Sequence, residues 1–381
     1  MKLKVVIIFI LIQLNPEIIK AGISDTLQHD GMSRTFYTHI PANYDGSNPR
    51  ELIIALHGGF GSGEQLEGQS LLSEKSEEEG FIVVYPDGVP SLLGIRTWNG
   101  GGCCGYAVNN NIDDVGFINT LIDHMLQTYN IDSTRIYATG MSNGGFMCYR
   151  LACELNHRIA AIAPVACSMS VDACNPSRPL SIIHFHSYLD SNIPIEGGIG
   201  DGVSSHYNPP LDSVMNVWAS YNNCQSADTP YTSVEYDHFR WYDGDCNSEL
   251  NLYVSYDGGH SWPDGTSSII GDPVSEVLSA NDLMYAFFQD HTLQCTTEDI
   301  FHLDPATLPR LYPNPAGNRI NINVPQDWIN PKILIYSTTG DLLLQRILRT
   351  PSLDLSGFNS GTYLLRITSD HHSYIEHLII L

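Results

Sequence analysis

Short apolar runs and amphipathic stretches alternate along the chain from residue 35 to about residue 288. The apolar runs predict strands, which fall at residues 35–40, 52–56, 81–85, 135–138, 159–164, 180–184 and 250–256. Helical patterns lie between them, the clearest at residues 115–129, where Asp113 and Asp114 are candidates for the N-cap. Strands that alternate with helices predict an α/β fold with a mostly parallel central sheet and helices on both faces.

The pattern changes near residue 297. A polar, proline-bearing segment at residues 297–310 is followed by short strand-like runs at residues 320–324, 333–336, 341–348 and 362–367. Such runs, separated by glycine-containing turns, predict a small β-sandwich. We therefore expect an α/β domain at residues 22–296, a linker at residues 297–310 and a β-sandwich domain at residues 311–381.

Residues 1–21 have the pattern of a secretory signal peptide. Lys2 and Lys4 precede an apolar run at residues 5–14, and Ala21 is a candidate for the cleavage site. This run is too short to span a bilayer, and no later segment is long enough either. The pattern predicts an exported protein, secreted or held at the cell surface, without a stable membrane span.

Acidic residues outnumber basic residues by 42 to 18, which gives a formal net charge of −24. Such a charge repels phosphate backbones and anionic lipid surfaces, so nucleic acids and membranes are not expected as partners. The hydrophobic fraction of 43% is ordinary for a globular protein. We interpret the acidity as an aid to solubility.

The chain has 9 cysteines, all between residues 103 and 295, which fits an oxidising compartment. An odd number leaves at least one thiol free or paired between chains. Cys224 and Cys246 lie at the two ends of one segment before strand 250–256, so we expect them to pair. Cys148 and Cys153 point in different directions on one predicted helix, so we expect no bond between them. Paired C-x2-C motifs, which would indicate a zinc site, are not present.

The segment Gly140-Met141-Ser142-Asn143-Gly144 has the pattern G-x-S-x-G between a predicted strand and a predicted helix. A serine hydroxyl is a weak nucleophile unless it is exposed and an adjacent base can take its proton. The flanking glycines permit the sharp strand-to-helix turn that exposes it. Because the bare pattern is common, the assignment of Ser142 as nucleophile depends on suitable partners elsewhere in the chain.

In the α/β-hydrolase fold an acid and then a histidine follow the nucleophile, each on a loop after a later strand. Asp190 follows strand 180–184, and His260 follows strand 250–256 in a glycine-containing turn. Less well placed alternatives, interpreted as loop, core or bracing residues, are Asp172, Asp201, Asp212, His57, His184 and His186. The order of the motifs predicts a triad of Ser142, Asp190 and His260.

A tetrahedral intermediate also needs amide donors for its oxyanion, each worth about 3–4 kcal/mol. Asn143, directly after the nucleophile, supplies one of them. We expect the other from the glycine-rich loop Leu56-His57-Gly58-Gly59-Phe60-Gly61, which follows an early strand.

Together these motifs resemble the secreted polyhydroxybutyrate depolymerase and feruloyl esterase family, part of the carbohydrate esterase family 1 group of α/β-hydrolases. The matching segments, within residues 24–290, are Leu56-His57-Gly58-Gly59, Trp98-Asn99-Gly100-Gly101-Gly102-Cys103-Cys104-Gly105, Asp113-Asp114-Val115-Gly116-Phe117, Gly140-Met141-Ser142-Asn143-Gly144-Gly145 and Gly259-His260-Ser261-Trp262-Pro263. The resemblance implies the triad of Ser142, Asp190 and His260, and an oxyanion hole formed by the backbone at Gly59 and Asn143.

Two segments depart from the family. The family usually has His-Gly-x-x-Asp before its acid, whereas this chain has His186-Ser187-Tyr188-Leu189-Asp190. Ser187 and Tyr188 are therefore expected to reshape the acid loop. A glycine-rich insertion at residues 196–210 lies where substrate selectivity would be set.

The C-terminal residues resemble the sorting domain of type IX secretion substrates in Gram-negative bacteria. The matching segments are Leu311-Tyr312-Pro313-Asn314-Pro315, Ile335-Tyr336-Ser337-Thr338-Thr339-Gly340 and Ser360-Gly361-Thr362-Tyr363. The resemblance implies contact with the secretion machinery. Those domains commonly end in a basic residue, whereas this chain ends in Leu381, and a generic accessory β-module is the alternative.

The sequence therefore predicts a secreted serine carboxylic-ester hydrolase that acts through an acyl-enzyme, without a metal or organic cofactor. Candidate substrates are feruloyl or acetyl esters of polysaccharides and polyhydroxybutyrate. Candidate aromatic contacts to the substrate are Trp98, Tyr188, Trp218 and Trp262. The alternative function is that of a catalytically inactive secreted protein that binds a carbohydrate or polymer on the same scaffold.

Overall fold

The structure is a computed structural model that describes residues 22–171, 173–202, 205–267, 272–295, 309–325, 328, 331–337, 342–369 and 373–381. The predicted signal peptide, Asp172 and nearly all of the predicted linker lie outside the described residues. The contacts divide the chain into two compact units, Met1–Cys295 and Thr296–Leu381. Each unit is described by itself.

Strands and helices alternate along the first unit. Its strands are β1 (Ile23–His29), β2 (Met32–His39), β3 (Arg50–Leu56), β4 (Ile82–Pro86), β5 (Val89–Pro90), β6 (Arg96–Thr97), β7 (Ile131–Met141), β8 (Ala161–Val165), β9 (Ser181–Ser187), β10 (Gly198–Ile199), β11 (Tyr207–Asn208), β12 (Ser226–Thr232), β13 (Tyr236–Tyr242) and β14 (Leu250–Ser255). Its helices are α1 (Gly63–Ser70), α2 (Leu72–Glu79), α3 (Gly105–Asn109), α4 (Asp114–Thr128), α5 (Asn143–Glu154), α6 (Leu211–Tyr221) and α7 (Ala280–Gln289).

One 10-stranded sheet forms the centre of this unit, in the order β1-β2-β4-β3-β7-β8-β9-β14-β13-β12. The run from β4 to β14 is parallel, and the strands at both ends pair antiparallel. Each predicted apolar strand lies within this sheet, and the predicted helix is α4, with the Asp113 side chain accepting from the Gly116 amide at its N-cap. The α/β prediction is confirmed.

Apolar side chains cover both faces of the sheet. One core contains the inner sides of α4, α5 and α6, and the other contains those of α1, α2 and α7. Both faces of the central strands are therefore buried, which explains why these strands appear in the sequence as continuous apolar runs. A serine on the turn from β7 to α5 completes the features of the α/β-hydrolase fold.

The outer strands β1 and β12 were not predicted. The residues of β1, ISDTLQH, are mostly exposed, and those of β12 are polar or exposed along nearly their whole length. Their pairing depends on backbone hydrogen bonds to a neighbouring strand rather than on burial of an apolar face. The apolar pattern therefore carries no signal for them.

The second unit is made of β15 (Arg310–Tyr312), β16 (Arg319–Asn323), β17 (Lys332–Tyr336), β18 (Leu342–Ile347), β19 (Ser352–Asp354), β20 (Gly361–Thr368) and β21 (Ser373–Ile380). They form antiparallel sheets in the orders β15-β16-β19 and β18-β17-β20-β21. Side chains of both sheets, including Ile320 and Ile335, share one buried core. The predicted β-sandwich is confirmed.

Disulfides join Cys103 to Cys104, Cys153 to Cys174, and Cys246 to Cys295. Cys148, Cys167 and Cys224 are free. Cys148 and Cys153 do not pair, as predicted, but the predicted bond between Cys224 and Cys246 is wrong.

Cys246 pairs with Cys295 because the chain after α7 runs back towards the residues before β14. There His291 Nε2 lies 3.9 Å from Glu249 Oε1, and Cys295, four residues later, reaches Cys246. The spacing of Cys224 and Cys246 along the chain gives no information about this return.

We predict that Cys246→Ser and Cys295→Ser each lower the free energy of unfolding by about 2–4 kcal/mol, because each opens a long covalent loop. Cys224→Ser is the matched control and should leave it nearly unchanged. Denaturation in urea without reductant measures all three variants. Loss of stability in Cys224→Ser, with none in Cys295→Ser, would instead support the bond between Cys224 and Cys246.

Candidate active site

Ser142 occupies the turn between β7 and α5 with φ 54° and ψ −121°. This left-handed backbone is costly for a residue with a side chain and is typical of a strained functional turn. The turn is fixed by the Ser142 amide, which donates to Val165 O at 2.9 Å. A Cβ at Gly140 would lie 2.7 Å from Leu56 O, so glycine permits the close approach of this turn to β3. The Ser142 side chain faces a cleft at the carboxyl edge of the sheet.

His260 and Asp190 are brought together from loops after β14 and β9. Nδ1 of His260 lies 2.8 Å from Oδ2 of Asp190, whose side chain is fully buried. The other carboxylate oxygen accepts from the amides of Asn192 and Ile193, each at 2.9 Å. Burial by itself raises the pKa of the Asp190 carboxyl, but the hydrogen bond and charge of His260, with further help from His186 and the Ile193 amide, hold it below its usual range. Asp190 is therefore an ionised acceptor for the imidazole.

The backbone of His260 is held by a carboxylate that the sequence did not reveal. Its amide donates to Asp272 Oδ2 at 2.7 Å. Ser142 and His260 line the same cleft, although no direct hydrogen bond joins them in the described part of the chain. Asp272 thus holds the backbone of His260 and Asp190 holds its imidazole, in the cleft that Ser142 also lines.

The glycine-rich loop after β3 lies against the turn that carries Ser142. A Cβ at Gly58 would be 3.5 Å from Ser142 Cβ, and one at Gly59 would be 3.9 Å from Asn143 Cβ. Among the described residues, no hydrogen bond from the backbone amides of Gly59 and Asn143 to the protein is found. Both residues line the cleft, so their amides can donate to a bound oxyanion there.

His57 braces this loop. Its Nδ1 lies 2.7 Å from Gly58 O, and the Gly88 amide donates to its Nε2 at 2.9 Å. Because a carbonyl only accepts and an amide N–H only donates, the neutral ring carries its proton on Nδ1. Burial lowers the pKa of His57 to about 4, which keeps this arrangement at neutral pH. The ring is therefore structural and is not the catalytic base.

Trp98 connects the two sides of the predicted oxyanion site. Its indole N–H donates to His57 O at 3.1 Å, and its backbone exchanges hydrogen bonds of 2.7 and 3.0 Å with the Asn143 side chain. The next residue, Asn99, donates from its amide to Asp114 at 2.8 Å, and Asp114 is paired with Arg34 at 2.7 Å in the core. The segment with Trp98 thus connects the loop of Gly59 to the helix that begins at Asn143.

The predicted substrate contacts of the aromatic residues need correction. Trp98, Trp218 and Trp262 each have 0% exposed surface and belong to the two cores of the sheet, so a ligand in the cleft cannot touch them. Tyr188 is half-buried, stacks on Tyr256 and donates to Asp237 at 2.9 Å, and it does not line the cleft. Large aromatic side chains gain most from burial, which the sequence pattern alone does not distinguish from substrate binding.

The cleft has a volume of about 1020 Å³. Its apolar lining includes Phe60, Leu66, Ile95, Phe146 and Ile193, and Phe60 is 60% exposed at its rim. Polar groups in the lining are Gln65, Gln69, Asn192, Asp201 and Asp272. Asp201 belongs to the glycine-rich insertion at 196–210, of which residues 203–204 lie outside the described residues. A large cleft with mixed lining can hold an acyl group together with part of the alcohol that it esterifies.

Ser187 connects the loop that carries Asp190 to the loop that carries His260. Its hydroxyl donates to Asp257 O at 2.9 Å and accepts from the Leu189 amide at 3.0 Å. In the part of the chain that is described, no cluster of three or more His, Cys, Asp or Glu side chains could hold a metal ion, and no helix is long and apolar enough to cross a membrane.

Comparisons with known proteins extend this picture. Residues 310–381 match the family described as the secretion system C-terminal sorting domain. The chain is 30% identical over 241 residues to feruloyl esterase B of Piromyces equi, and this match covers 61% of the chain but only 43% of that protein. It is 27% identical over 262 residues to a probable feruloyl esterase C of Aspergillus terreus, covering 67% of the chain and 83% of the relative.

An acetyl xylan esterase structure from Aspergillus awamori aligns with 63% of this chain and 94% of its own, at 18% identity and a TM-score of 0.44. The sorting domain places the protein among those that are secreted or held at the cell surface. Over about two thirds of its length this chain is therefore similar to feruloyl esterases, and its C-terminal residues match a secretion sorting domain.

Proposed function

We propose that this protein is a secreted serine carboxylic-ester hydrolase with a triad of Ser142, His260 and Asp190. The observation that carries the proposal is the hydrogen bond of 2.8 Å between His260 Nδ1 and the buried carboxylate of Asp190. It fixes the imidazole with Nε2 free to act as a base towards the same cleft that Ser142 lines. The names of the matching relatives, which are feruloyl esterases, support the same chemistry.

In the proposed reaction, His260 Nε2 takes the Ser142 proton while Oγ bonds to the carbonyl carbon of the ester. The amides of Gly59 and Asn143 donate to the resulting oxyanion. Collapse breaks the bond to the alcohol oxygen, which takes the proton from His260. Water then repeats these steps on the acyl-enzyme, releasing the acid and restoring Ser142. Asp190 stays ionised and stabilises the imidazolium in both halves.

The proposed substrates are esters attached to a polymer, with feruloyl or acetyl groups on polysaccharides as first candidates and polyhydroxybutyrate as a further one. The cleft supports a bulky acyl group because Phe60 and Phe146 lie among its apolar lining residues and because its volume is about 1020 Å³. Export of the protein also supports a polymer outside the cell, since such a substrate cannot enter. We propose the secretion machinery as the partner of the C-terminal domain.

Covalent labelling tests the nucleophile. We expect a fluorophosphonate probe to label the wild-type protein on Ser142, and Ser142→Ala to remain unlabelled, because the probe reacts only with an activated serine. Mass spectrometry of the labelled peptide identifies the site. If the folded wild-type protein stayed unlabelled, the alternative of an inactive protein that binds polymer would gain support.

Turnover of nitrophenyl acetate tests the base. His260→Ala should lower kcat by roughly 10⁴-fold or more, because the serine then lacks its proton acceptor. His124→Ala, at a partly exposed histidine on α4, is the control and should keep the wild-type rate. Equal rates for wild type and His260→Ala would exclude His260 as the base.

Substrate contact is tested at Phe60, with Trp218 as its buried counterpart. Phe60→Ala should raise KM for methyl ferulate roughly fivefold, since about 1 kcal/mol of apolar contact is lost. Trp218→Ala should leave KM unchanged but lower the free energy of unfolding by about 3–5 kcal/mol. If Trp218→Ala raised KM and Phe60→Ala did not, Trp218 rather than Phe60 would contact the substrate.

Turnover of methyl ferulate, acetylated xylan and polyhydroxybutyrate, compared side by side, identifies the acyl group that the protein releases.

A further inference from the structure

Three polar side chains in the core lie behind the proposed triad and take no part in the mechanism described above. Tyr149 lies on α5, the helix that begins just after Ser142, and His184 and His186 lie on β9, the strand before Asp190. Their exposed fractions are 0%, 0% and 3%. Polar groups buried this deeply are costly unless they are hydrogen-bonded, so their partners matter.

The three side chains form a continuous chain of hydrogen bonds. Tyr149 Oη lies 2.8 Å from His184 Nδ1, and His184 Nε2 lies 3.4 Å from His186 Nδ1. His186 Nε2 then lies 2.9 Å from the backbone oxygen of Ile193 and 3.8 Å from Asp190 Oδ2. The chain therefore runs from the nucleophile's helix to the loop that carries the acid.

The carbonyl of Ile193, at the end of this series of hydrogen bonds, fixes the direction of every donor in it. The Ile193 carbonyl can only accept, so His186 must carry its proton on Nε2. Burial lowers the pKa of His186 and lowers that of His184 further, so both rings are neutral at pH 7. A neutral His186 then accepts at Nδ1 from His184 Nε2–H, and His184 in turn accepts at Nδ1 from the Tyr149 hydroxyl. The sulfur of Met215, 3.9 Å from that hydroxyl, is a weaker acceptor.

All donors consequently point towards the acid loop. The Nε2–H of His186 brings a partial positive charge within 3.8 Å of Asp190 Oδ2, the oxygen that accepts from His260. The same N–H also fixes the carbonyl of Ile193, whose amide donates to Asp190 Oδ1 at 2.9 Å. The other titratable groups near this chain, the thiols of Cys148 and Cys167, are neutral because burial raises their pKa.

We propose that Tyr149, His184 and His186 are positioning residues that form an oriented hydrogen-bond chain, which holds the Asp190 carboxylate ionised and in place behind His260. This inference rests on the proposed role of Asp190 in the triad. Because Tyr149 belongs to the helix of Ser142, the chain also ties the positions of the nucleophile and the acid to each other.

Tyr149→Phe removes one oxygen and leaves His184 Nδ1 without its hydrogen-bond donor. The three hydrogen bonds are then no longer held in one direction. We expect kcat for nitrophenyl acetate to fall about tenfold to a hundredfold at unchanged KM, because the Asp190–His260 pair is misplaced. Tyr137→Phe is the matched control, since it removes a buried hydroxyl that donates to the backbone at Phe288 and His291.

A second pair of variants at His186 separates positioning from packing. His186→Leu removes both ring nitrogens, whereas His186→Gln can place an amide N–H near the position of Nε2. We expect His186→Gln to recover most of the kcat that His186→Leu loses. The ¹H NMR signal of the His260 Nδ1 proton should lie downfield in the wild type and in His186→Gln, and move upfield in His186→Leu and in Tyr149→Phe.

The inference is overturned if folded Tyr149→Phe keeps the wild-type kcat and the downfield proton signal, or if Tyr137→Phe changes both equally. If His186→Leu does not fold, the kcat and the NMR signal of Tyr149→Phe alone test the inference. Failure of the proposed function gives a different result, namely a wild-type protein without turnover or labelling. The NMR signal still reports the bond between Asp190 and His260 in that case.

Discussion

The structure of the site depends on the backbone of Ser142, which is held at φ 54° between β7 and α5. A turn this sharp brings the start of the helix against β3, where only the hydrogen of Gly144 fits beside the Leu56 carbonyl. The strain is maintained by the surrounding contacts, because α5 is buried along most of its length. The same close approach brings the loop of Gly58 and Gly59 to Ser142. The conformation of Ser142 and the position of the proposed oxyanion amides thus depend on the same packing.

Buried polar groups with complete hydrogen-bonding partners keep the surrounding loops in place. On one side, His57, Trp98 and the Asn143 side chain connect the oxyanion loop to the nucleophile helix. On the other side, the chain from Tyr149 to His186 connects that helix to the acid loop. In a medium of low dielectric such hydrogen bonds are strong, and an unpaired group is costly. These networks therefore favour one arrangement of loops over its alternatives.

The predicted site residues lie at one edge of the sheet because parallel strands all end there. Residues that follow β3, β7, β9 and β14 must meet at the carboxyl edge of the sheet, so chain order and apolar runs suffice to bring Ser142, Asp190 and His260 together. The fold class and the C-terminal sandwich were predicted for the same reason, since burial leaves a periodic trace in the sequence. The glycines on both sides of Ser142 also predicted the turn there, because its backbone conformation depends on the neighbouring residues.

Other features had no such trace. The partner of Cys246 depends on the return of the chain after α7, and the burial of Trp98, Trp218 and Trp262 depends on which elements cover them. Asp272, 12 residues after His260, reaches its amide across a loop. The direction of the hydrogen bonds from Tyr149 to His186 is fixed by the carbonyl of Ile193. The sequence by itself determined the buried strands, the order of the motifs along the chain and the chemistry of the side chains, because these follow from local pattern. Only the tertiary structure decided which buried groups pair and which aromatic rings face the cleft, because those contacts join residues far apart in the chain.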